Sequence, residues 1–257
     1  TATTEIYTLS LHDALPILDR RSIRRYERDD IPQETMDLIY EAIRNTPTSY
    51  NGQQFSVIDI DDQSVKEKLY ELTGQKQIKT CRRFMLFCAD YNKIRTIADA
   101  KLIDLPGFTH TADGVIVGVV DAALALMSAL VAAESCGLGT CPIGYARTAA
   151  PEAIAKMMDL PEGVFVVCGL AIGVPREMPD LKPKQPRELM IFHNAYRRDN
   201  MVPDLLKYDK QISEYNATRT GTKTDNDWAG HIIGYYREAM AYKTLDALRR
   251  RGFDVKQ

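Results

Sequence analysis

The sequence predicts a fold in which helices and β-strands are mixed and one long apolar helix lies at the centre. Residues 114–133 are the longest apolar stretch of the 257-residue chain. A helix of about 20 residues is roughly 30 Å long, enough to cross a small domain. Residues 84–90 and 164–173 are continuous apolar runs of strand length, which is typical of buried strands. Residues 55–60 are also strand-like.

The apolar stretch is predicted to be buried in protein rather than inserted in a membrane. Asp121 lies near its middle, where a carboxylate costs about 2.5 to 3.5 kcal/mol on insertion. A helix that is apolar nearly all round must be buried on nearly all sides. Small residues would let a second helix approach closely, which predicts a subunit interface; they are Gly114, Gly118, Ala122, Ala125 and Ala129. Gly137 and Gly139 are expected to end the helix.

Further helical patterns lie on both sides of this stretch. They cover residues 32–45, 63–72, 151–158, 202–217 and 227–250. Residues 93–111 predict an irregular linker that forms a flap over a pocket. Residues 141–144, which read CPIG, predict a loop that exposes its backbone to a ligand.

The composition indicates a small-molecule partner and a reducing compartment. Lys and Arg number 33 against 35 Asp and Glu, so the net charge of −2 gives no electrostatic basis for binding nucleic acid or an anionic membrane. The five cysteines have no CxxC spacing, and the four histidines form no metal motif. An odd number of cysteines without a secretory signal is typical of a cytoplasmic protein.

Residues 1–17 differ in composition from the rest of the chain. Residue for residue they resemble one reading frame of a common sequencing-library adapter, so we expect this segment to be non-native. The alternative is an ordinary variable N-terminus. We expect residues 18–257 to form a single domain, including a helical C-terminal extension from about residue 194, where the composition turns polar.

Two polar segments are candidate binding sites. In the first, four arginines surround Ser22; they are Arg20, Arg21, Arg24 and Arg25. Arginine forks bind phosphate oxygens and a hydroxyl adds a donor, so this segment predicts a phosphate site; its alternative is a solvated basic face. The second segment, residues 47–55 (PTSYNGQQF), offers hydroxyls and an amide. Its alternative is a plain helix-to-strand turn.

The order of these segments resembles the nitroreductase family of flavin enzymes. The family pattern is R-x-S-x-R near the N-terminus, then a helix, then P-S-x-x-N-x-Q-P-W. Here residues 20–24 read RRSIR, and Gln54 and Phe55 replace the Pro and Trp of the second motif. The chain is similar to the branch of NADPH-dependent nitroreductases and flavin reductases with a long C-terminal extension. Branch-level matches lie at residues 72–76, 87–92, 118–121, 133–139, 179–184 and 208–219.

The resemblance implies an α+β fold, with a mixed sheet flanked by helices and a long buried central helix, in a homodimer with two FMN sites at its interface. It also assigns the cofactor-binding residues. The FMN phosphate would be held by Arg20, Ser22, Lys182 and Lys184, with Arg21 flanking them. The ribityl chain and the ring edge would meet Pro47, Thr48, Ser49 and Asn51.

The flavin ring would meet three further groups. Gln75 would bond its pyrimidine end, and Arg24 would lie near N1 and the C2 carbonyl, where a fixed cation stabilises the negative charge of the reduced ring. A backbone N–H near N5 would come from Pro142, Ile143 and Gly144, and Arg147 follows in the same motif.

The implied activity is that of an FMN-dependent NAD(P)H oxidoreductase. It would reduce nitroaromatics, quinones or free flavin by two electrons in alternating half-reactions, without a catalytic side chain. Arg219 matches the branch's arginine for the NADPH 2′-phosphate, with Lys223 nearby, but Thr224 and Asp225 replace an expected second basic pair. NADPH and NADH both remain candidate donors.

Two alternatives remain open. One is a non-catalytic flavin-binding protein, and the other is an enzyme of the same fold with different chemistry, such as flavin fragmentation or reductive dehalogenation. Fold alone does not separate them, because the chemistry depends on the pocket.

Overall fold

The structure is a computed structural model that describes residues 16–255. The predicted non-native segment therefore lies outside the described residues except for its last two positions. The strands are β1 (Phe55–Ile60), β2 (Arg83–Asp90), β3 (Gly139–Ile143) and β4 (Val164–Gly173). The helices are α1 (Gln33–Arg44), α2 (Gln63–Thr73), α3 (Lys76–Thr80), α4 (Asn92–Lys101), α5 (Ala112–Ser135), α6 (Tyr145–Thr148), α7 (Pro151–Met157), α8 (Met201–Thr218), α9 (Trp228–Ala239) and α10 (Thr244–Arg250).

The four strands form one sheet in the order β1-β2-β4-β3, and every neighbouring pair is antiparallel. The α+β class is confirmed, but the expected mixed sheet is antiparallel across its four strands. Among the described residues, the parallel pairing is limited to an isolated bridge between Ser22 and Thr140, too short to count as a strand. The three predicted strands are confirmed as β1, β2 and β4.

The long central helix is confirmed as α5, but it is not buried all round. Ala122, Ala125 and Ala129 are fully buried in the chain's own core, together with residues of α1 and the sheet. The small residues therefore face the same chain, and not a subunit interface as predicted. Their small side chains let α5 pack closely against the sheet. At Gly118 there is no room for even a methyl group, since an added Cβ would lie 2.8 Å from the Cβ of Ala89.

The opposite face of α5 carries larger apolar side chains that are exposed. They recur at helical spacing and are Ile116, Val120, Leu124 and Met127. By length and composition alone α5 could cross a membrane, a test that the core helix of a soluble protein also passes. Its packing against the sheet makes it the core helix of this fold.

Four other helical predictions are confirmed as α1, α2, α7 and α8. Helix α2 has well-formed ends: Asp62 Oδ1 accepts from the N–H groups of Ser64 (2.7 Å) and Val65 (3.3 Å), and Gly74 takes a left-handed φ of 69° after the last turn. This φ is the reason for glycine at the junction between α2 and Gln75.

Three predicted segments differ from the structure. Residues 93–111 include α4 instead of an irregular linker; its Ile94 and Ile97 are exposed, so the apolar face that reveals a core-facing helix is weak. Residues 227–250 form α9 and α10, with a break that no proline or glycine marks. The CPIG segment belongs largely to β3, where Pro142 is tolerated because β3 lies at the sheet edge.

The chain divides into two compact units. The first contains the sheet, helices α1 to α7 and α10, and the second is Pro179–Tyr242, with α8 and α9. Within the second unit, the rings of Tyr208 and Trp228 meet edge to face at 5.7 Å, and Asn216 Nδ2 donates to Asn226 O at 2.8 Å. These contacts hold α8 against the start of α9.

Candidate functional site

The basic segment, residues 20–25, lies beside the edge strand β3. Ile23 N donates to Thr140 O at 2.8 Å, and Ser22 forms its parallel bridge with the same residue. Ile23 is buried, so this side chain and the bridge fix the arginines on either side of it. The structure thereby places the predicted phosphate-binding segment at the edge of the sheet.

Arg20 and Arg21 line a cavity of about 250 Å³ that also contains Glu134 and Gly139. Nη1 of Arg20 is buried and has no hydrogen-bond partner among residues 16–255. A buried donor left unsatisfied costs about 1–3 kcal/mol. An anionic oxygen that accepted this N–H would remove that cost.

Glu134 moderates the positive charge of this cavity. Thr140 Oγ1 donates to its Oε1 at 2.6 Å. Burial raises the pKa of Glu134, while the bond from Thr140 and the charges of Arg20 and Arg21 act in the opposite direction. The sequence analysis did not assign Glu134 to the site, because its place next to the arginines depends on the pairing of β3 with the basic segment.

Arg24 lines a second cavity of about 730 Å³. Its lining also includes Arg25, Tyr26, Gly74, Lys76, Gln77, Thr80 and Arg176. Gln75 lies between two of these residues, and its Oε1 accepts from Gln77 Nε2 at 3.0 Å. The structure therefore places Arg24 and the turn that carries Gln75 at one cavity.

Cys141 is a further residue at this site. Burial raises the pKa of its thiol, and the charges of Arg24 and Arg20 together with a bond to Ser22 oppose that rise. The sequence analysis treated the cysteines only by their spacing. The contact follows from β3, whose pairing with the basic segment puts Cys141 next to Ser22.

The PTSYNGQQF loop has an unusual backbone. Its 3-10 turn, Ser49–Asn51, contains Tyr50 (φ 58°) and Asn51 (φ 54°), and Gln53 follows with φ 52°. Left-handed positions outside glycine cost roughly 1–2 kcal/mol each, and less for Asn. Gly52 is not one of them, since its φ is −76°. The segment connects α1 to β1 through this turn, and its left-handed positions belong to its larger residues.

Thr48 and Asp121 hold this loop. Thr48 Oγ1 accepts from Gln53 N at 3.2 Å. Asp121 is fully buried in the middle of α5; its Oδ1 accepts from Ser49 N at 2.9 Å and its Oδ2 accepts from Gln54 N at 3.2 Å. The sequence analysis used Asp121 only as evidence against a membrane helix. A carboxylate inside an apolar helix was the available signal, because a buried carboxylate requires donors.

The end of β3 leaves room for a ligand. Pro142 and Gly144 are exposed and Ile143 is buried, and a Cβ added to Gly144 would meet nothing within 4 Å. Arg147 has a different environment: its Nη1 donates to Val167 O at 2.6 Å, and it lines a small cavity with Glu152 and Arg251. In the first unit, Arg147 thus ties α6 to β4.

Four of the predicted site residues belong to the second unit: Lys182, Lys184, Arg219 and Lys223. Asp180 joins their two segments, since its backbone O accepts from Tyr215 Oη at 3.1 Å and its Oδ2 accepts from Thr220 N at 2.7 Å. Arg219 Nε donates to Thr222 O at 2.8 Å. The Lys182 segment and the Arg219 turn are therefore neighbours within this unit.

The donor set of the first unit fits a phosphate-bearing group. Arg20, whose buried Nη1 has no acceptor among residues 16–255, lines a cavity with a second arginine, and the backbone at Gly144 is open to solvent. In the part of the chain that the structure describes, no group of three or more His, Cys, Asp or Glu side chains could hold a metal ion. The site is suited to an anionic organic cofactor.

Comparison with known proteins gives the class of this fold and site. The Nitroreductase family profile matches residues 17–174, and the profile described as Nitroreductase family, C-terminal domain matches residues 182–256. An FMN reductase [NAD(P)H] from Bacillus subtilis is 38% identical over 247 residues, which are 94% of this chain and 97% of that protein. An oxygen-insensitive NADPH nitroreductase from Salmonella typhimurium is 36% identical over 239 residues, 92% and 95% of the two chains.

A solved structure agrees with these sequence matches. The hypothetical oxidoreductase YcnD from Bacillus subtilis has a TM-score of 0.90 and 37% identity, over 94% of this chain and 98% of that one. The fold and these matches therefore define an α+β protein with an arginine-lined cavity at the edge of its sheet. The chain belongs to the nitroreductase family.

Proposed function

We propose that the protein is an FMN-dependent NAD(P)H oxidoreductase that reduces small-molecule acceptors by two electrons. The pair Arg20 and Arg21 at one cavity carries this proposal, because two guanidinium groups suit an anionic phosphate and Nη1 of Arg20 has no acceptor among residues 16–255. The names of the relatives, an FMN reductase and an NADPH nitroreductase, support the same chemistry. Bound FMN would accept hydride from the nicotinamide donor and pass two electrons to the acceptor.

The residues of the chain bind and orient the cofactor in this proposal. Arg20, Arg21 and Ser22, in the first unit, bind the phosphate. Lys182 and Lys184, in the second unit, remain candidate phosphate-binding residues on the strength of the resemblance. Pro47, Thr48, Ser49 and Asn51 orient the ribityl chain and the ring edge. Gln75 bonds the pyrimidine end. The backbone of Pro142, Ile143 and Gly144 meets the ring, and Arg147 supports it by holding α6 on β4.

Arg24 has an electrostatic role in the proposed site. Arg24 lines the 730 Å³ cavity and is exposed, and its Nη1 donates to Ser22 O at 3.4 Å, a long contact. A fixed cation stabilises negative charge that develops on the reduced ring. Because this stabilisation is greatest in the reduced state, Arg24 favours electron acceptance from the nicotinamide.

The donor is NADPH or NADH, and we propose that Arg219 and Lys223 bind the 2′-phosphate of NADPH. Arg219 is partly buried and lies over the Tyr215 ring at 6.0 Å, which orients its guanidinium. Asp225 is exposed two residues after Lys223 and disfavours a dianionic phosphate. We therefore expect a preference for NADPH that is real but modest. Nitroaromatics, quinones and free flavin are the proposed acceptors.

We propose a cytoplasmic homodimer in which residues 18–257 act as one domain. All five cysteines are free, which suits a reducing compartment. The exposed stripe of α5, formed by Ile116, Val120, Leu124 and Met127, supports self-association, because a continuous apolar helix face gains free energy when it is covered.

The proposed function is tested by removing and restoring FMN. Oxidation of NADPH and of NADH is measured with a nitroaromatic and with a quinone, using protein as purified, protein stripped of flavin, and stripped protein to which FMN is returned. We expect activity to disappear with the flavin and to return with FMN. Activity that persists without flavin contradicts the proposal. Arg219→Ala should reduce the preference for NADPH over NADH, and Arg237→Ala, on α9, serves as its matched control.

A further inference from the structure

We infer that Asp121 is a positioning residue for the FMN site, in that its buried carboxylate holds residues 48–54 in the conformation that presents Thr48, Ser49 and Asn51 to the cofactor. The inference rests on the proposed function, which places these three residues at FMN. It assigns a task to a fully buried residue of the core helix, which acts through the loop that it binds.

The two oxygens of Asp121 bind the two ends of the loop separately. Oδ1 accepts from Ser49 N at 2.9 Å and Oδ2 accepts from Gln54 N at 3.2 Å. All three left-handed residues, Tyr50, Asn51 and Gln53, lie between these two donors. The side chain of Asp121 therefore anchors the backbone on both sides of the left-handed residues.

The contacts within the loop are few. Gly52 N donates to Ser49 O at 2.8 Å, and three longer bonds of 3.2 Å run from Asn51 N to Thr48 O, from Gln53 N to Thr48 Oγ1 and from Gln53 Nε2 to Asn51 O. Backbone strain persists only where the surrounding structure imposes it. Since Tyr50 is largely exposed, packing of its side chain does not impose the strain. The bonds from Ser49 N and Gln54 N to Asp121 hold the loop from outside, together with the bond from Asp90 N to Gln54 O at 3.0 Å.

Asp121 is buried away from water, so these two hydrogen bonds are the main compensation for the lost hydration of its side chain. It is fully buried, and no Lys or Arg forms an ion pair with it among the residues described. A buried carboxyl group is tolerated only when hydrogen bonds satisfy it. The N–H groups of Ser49 and Gln54 are its donors, so the burial of Asp121 and the loop conformation depend on each other.

The part of α5 that carries Asp121 is tightly packed. One turn earlier, Gly118 lies against Ala89 and Tyr91, and the next residue, Ala122, is fully buried. A side chain on such an element positions its partners more precisely than one on a loop. Gln54 occupies the position at which the family pattern has Pro. Because proline has no N–H, the bond from Gln54 N to Asp121 Oδ2 depends on this chain's own residue at position 54.

The inference is tested with Asp121→Asn, which keeps the shape but replaces one acceptor oxygen by a donor. Asp113→Asn, an exposed change in the first turn of the same helix, is the matched control. Amide hydrogen exchange at Ser49 and Gln54 is measured in the flavin-free proteins, and the FMN dissociation constant is measured by fluorescence titration. We expect faster exchange at both amides and an FMN dissociation constant raised about tenfold for Asp121→Asn only.

A rescue variant separates positioning from a general role in folding. Glycine adopts left-handed angles without strain, so Gln53→Gly in the Asp121→Asn protein should recover part of the lost FMN affinity. A merely structural role for Asp121 predicts no such recovery. If Asp121→Asn does not fold, Asp121→Ser, which retains one acceptor, is measured in the same way.

The outcomes distinguish this inference from the proposed function. Unchanged exchange at Ser49 and Gln54 overturns the inference, as does faster exchange with unaltered FMN affinity. A wild-type protein that binds no FMN contradicts the proposed function instead, and it leaves the exchange result to decide whether Asp121 holds the loop.

Discussion

Gly139 of β3 lies directly against Ile23 of the basic segment. A Cβ at position 139 would stand 2.8 Å from Ile23 Cγ1 and 2.9 Å from its Cβ, closer than such atoms approach in folded proteins. Ile23 is buried and branched at Cβ, so it cannot turn aside without moving its own backbone. The position of Arg20, Ser22 and Arg24 therefore depends on the absence of a side chain at position 139.

Gly139→Ala is expected to displace the basic segment from β3. Overpacking of this kind costs about 1–3 kcal/mol of stability, and we expect FMN affinity to fall by at least about tenfold. Fluorescence titration with FMN and thermal unfolding measure the two effects. Gly234→Ala, in α9, is the control because an added Cβ there meets nothing within 4 Å. FMN affinity equal to that of the wild type would show that the segment does not bind the cofactor.

Arg20→Gln is expected to weaken FMN binding without weakening the flavin-free fold. A hydrogen bond to a charged group contributes about 1.5–3 kcal/mol, which corresponds to roughly 10- to 100-fold in the dissociation constant. The buried Nη1 has no acceptor within residues 16–255, so its removal should leave the flavin-free melting temperature unchanged or higher. Arg28→Gln, an exposed change in the same chain segment, should alter neither quantity. A large loss of flavin-free stability in Arg20→Gln would contradict this assignment.

The thiols should differ in their reaction with an alkylating reagent. Cys136 is exposed, whereas burial raises the pKa of Cys81 and of Cys88 to about 12 and also raises that of Cys141 and Cys168. Since the thiolate is the reactive form, we expect one fast thiol per chain at neutral pH. Mass spectrometry of the labelled protein identifies it. The fast phase should vanish in Cys136→Ser; a fast phase that remains would mean that another thiol is accessible.

Stability should fall at high pH in part because of Tyr91. Burial, and then the charge of Asp121, raise the pKa of Tyr91 from 10.0 to about 12. The neutral phenol is favoured in the folded state, so its contribution is complete below pH 10 and is lost as the pH rises through about 12. Urea unfolding from pH 9 to pH 12 measures how the free energy of unfolding changes with pH, a slope that Tyr91→Phe should reduce by on the order of 1 kcal/mol per pH unit.

The control for this slope is Tyr236→Phe, which removes an exposed hydroxyl. Tyr91→Phe also removes the bond from Tyr91 Oη to Gly114 O (2.6 Å), so its stability at neutral pH should be lower by about 1 kcal/mol. Identical slopes in the wild type and Tyr91→Phe would exclude Tyr91 as the titrating group.

Leu124→Glu should dissociate the proposed homodimer. Leu124 lies in the middle of the exposed stripe of α5, and a carboxylate there would have to lose its hydration in the interface. Analytical ultracentrifugation is expected to give a dimer for the wild type and a monomer for Leu124→Glu. Leu102→Glu, at the exposed end of α4, should remain dimeric. A monomeric wild type would reject the proposed assembly.

Local patterns were sufficient to predict most elements of the fold. The continuous apolar runs gave β2 and β4, and the spacing of Met36, Ile39 and Ile43, all buried, gave α1. Helix α4 was missed because its apolar residues are exposed, and β3 was taken for a loop because Cys-Pro-Ile-Gly contains turn-forming residues. A strand at the sheet edge tolerates proline, and sequence alone does not show which strand lies there.

The site was predictable only as separate segments. Residue types identified Arg20, Ser22 and the PTSYNGQQF loop, since their donors suit phosphate and hydroxyl groups. The contacts that join them are long-range: Thr140 with Ile23, and Asp121 with Ser49 and Gln54. Such contacts depend on how strands and helices pack, so neither Asp121 nor Glu134 could be assigned to the site from the pattern around it.

The most direct test of the account is an anaerobic titration of the FMN-loaded protein. The visible absorption band of the flavin is followed while NADPH or NADH is added, and then while a nitroaromatic or a quinone is added. We predict that the band bleaches with each donor, at lower concentrations of NADPH, and recovers fully with either acceptor. Bound flavin that neither nicotinamide bleaches would contradict the account, because the protein would then hold FMN without passing electrons through it.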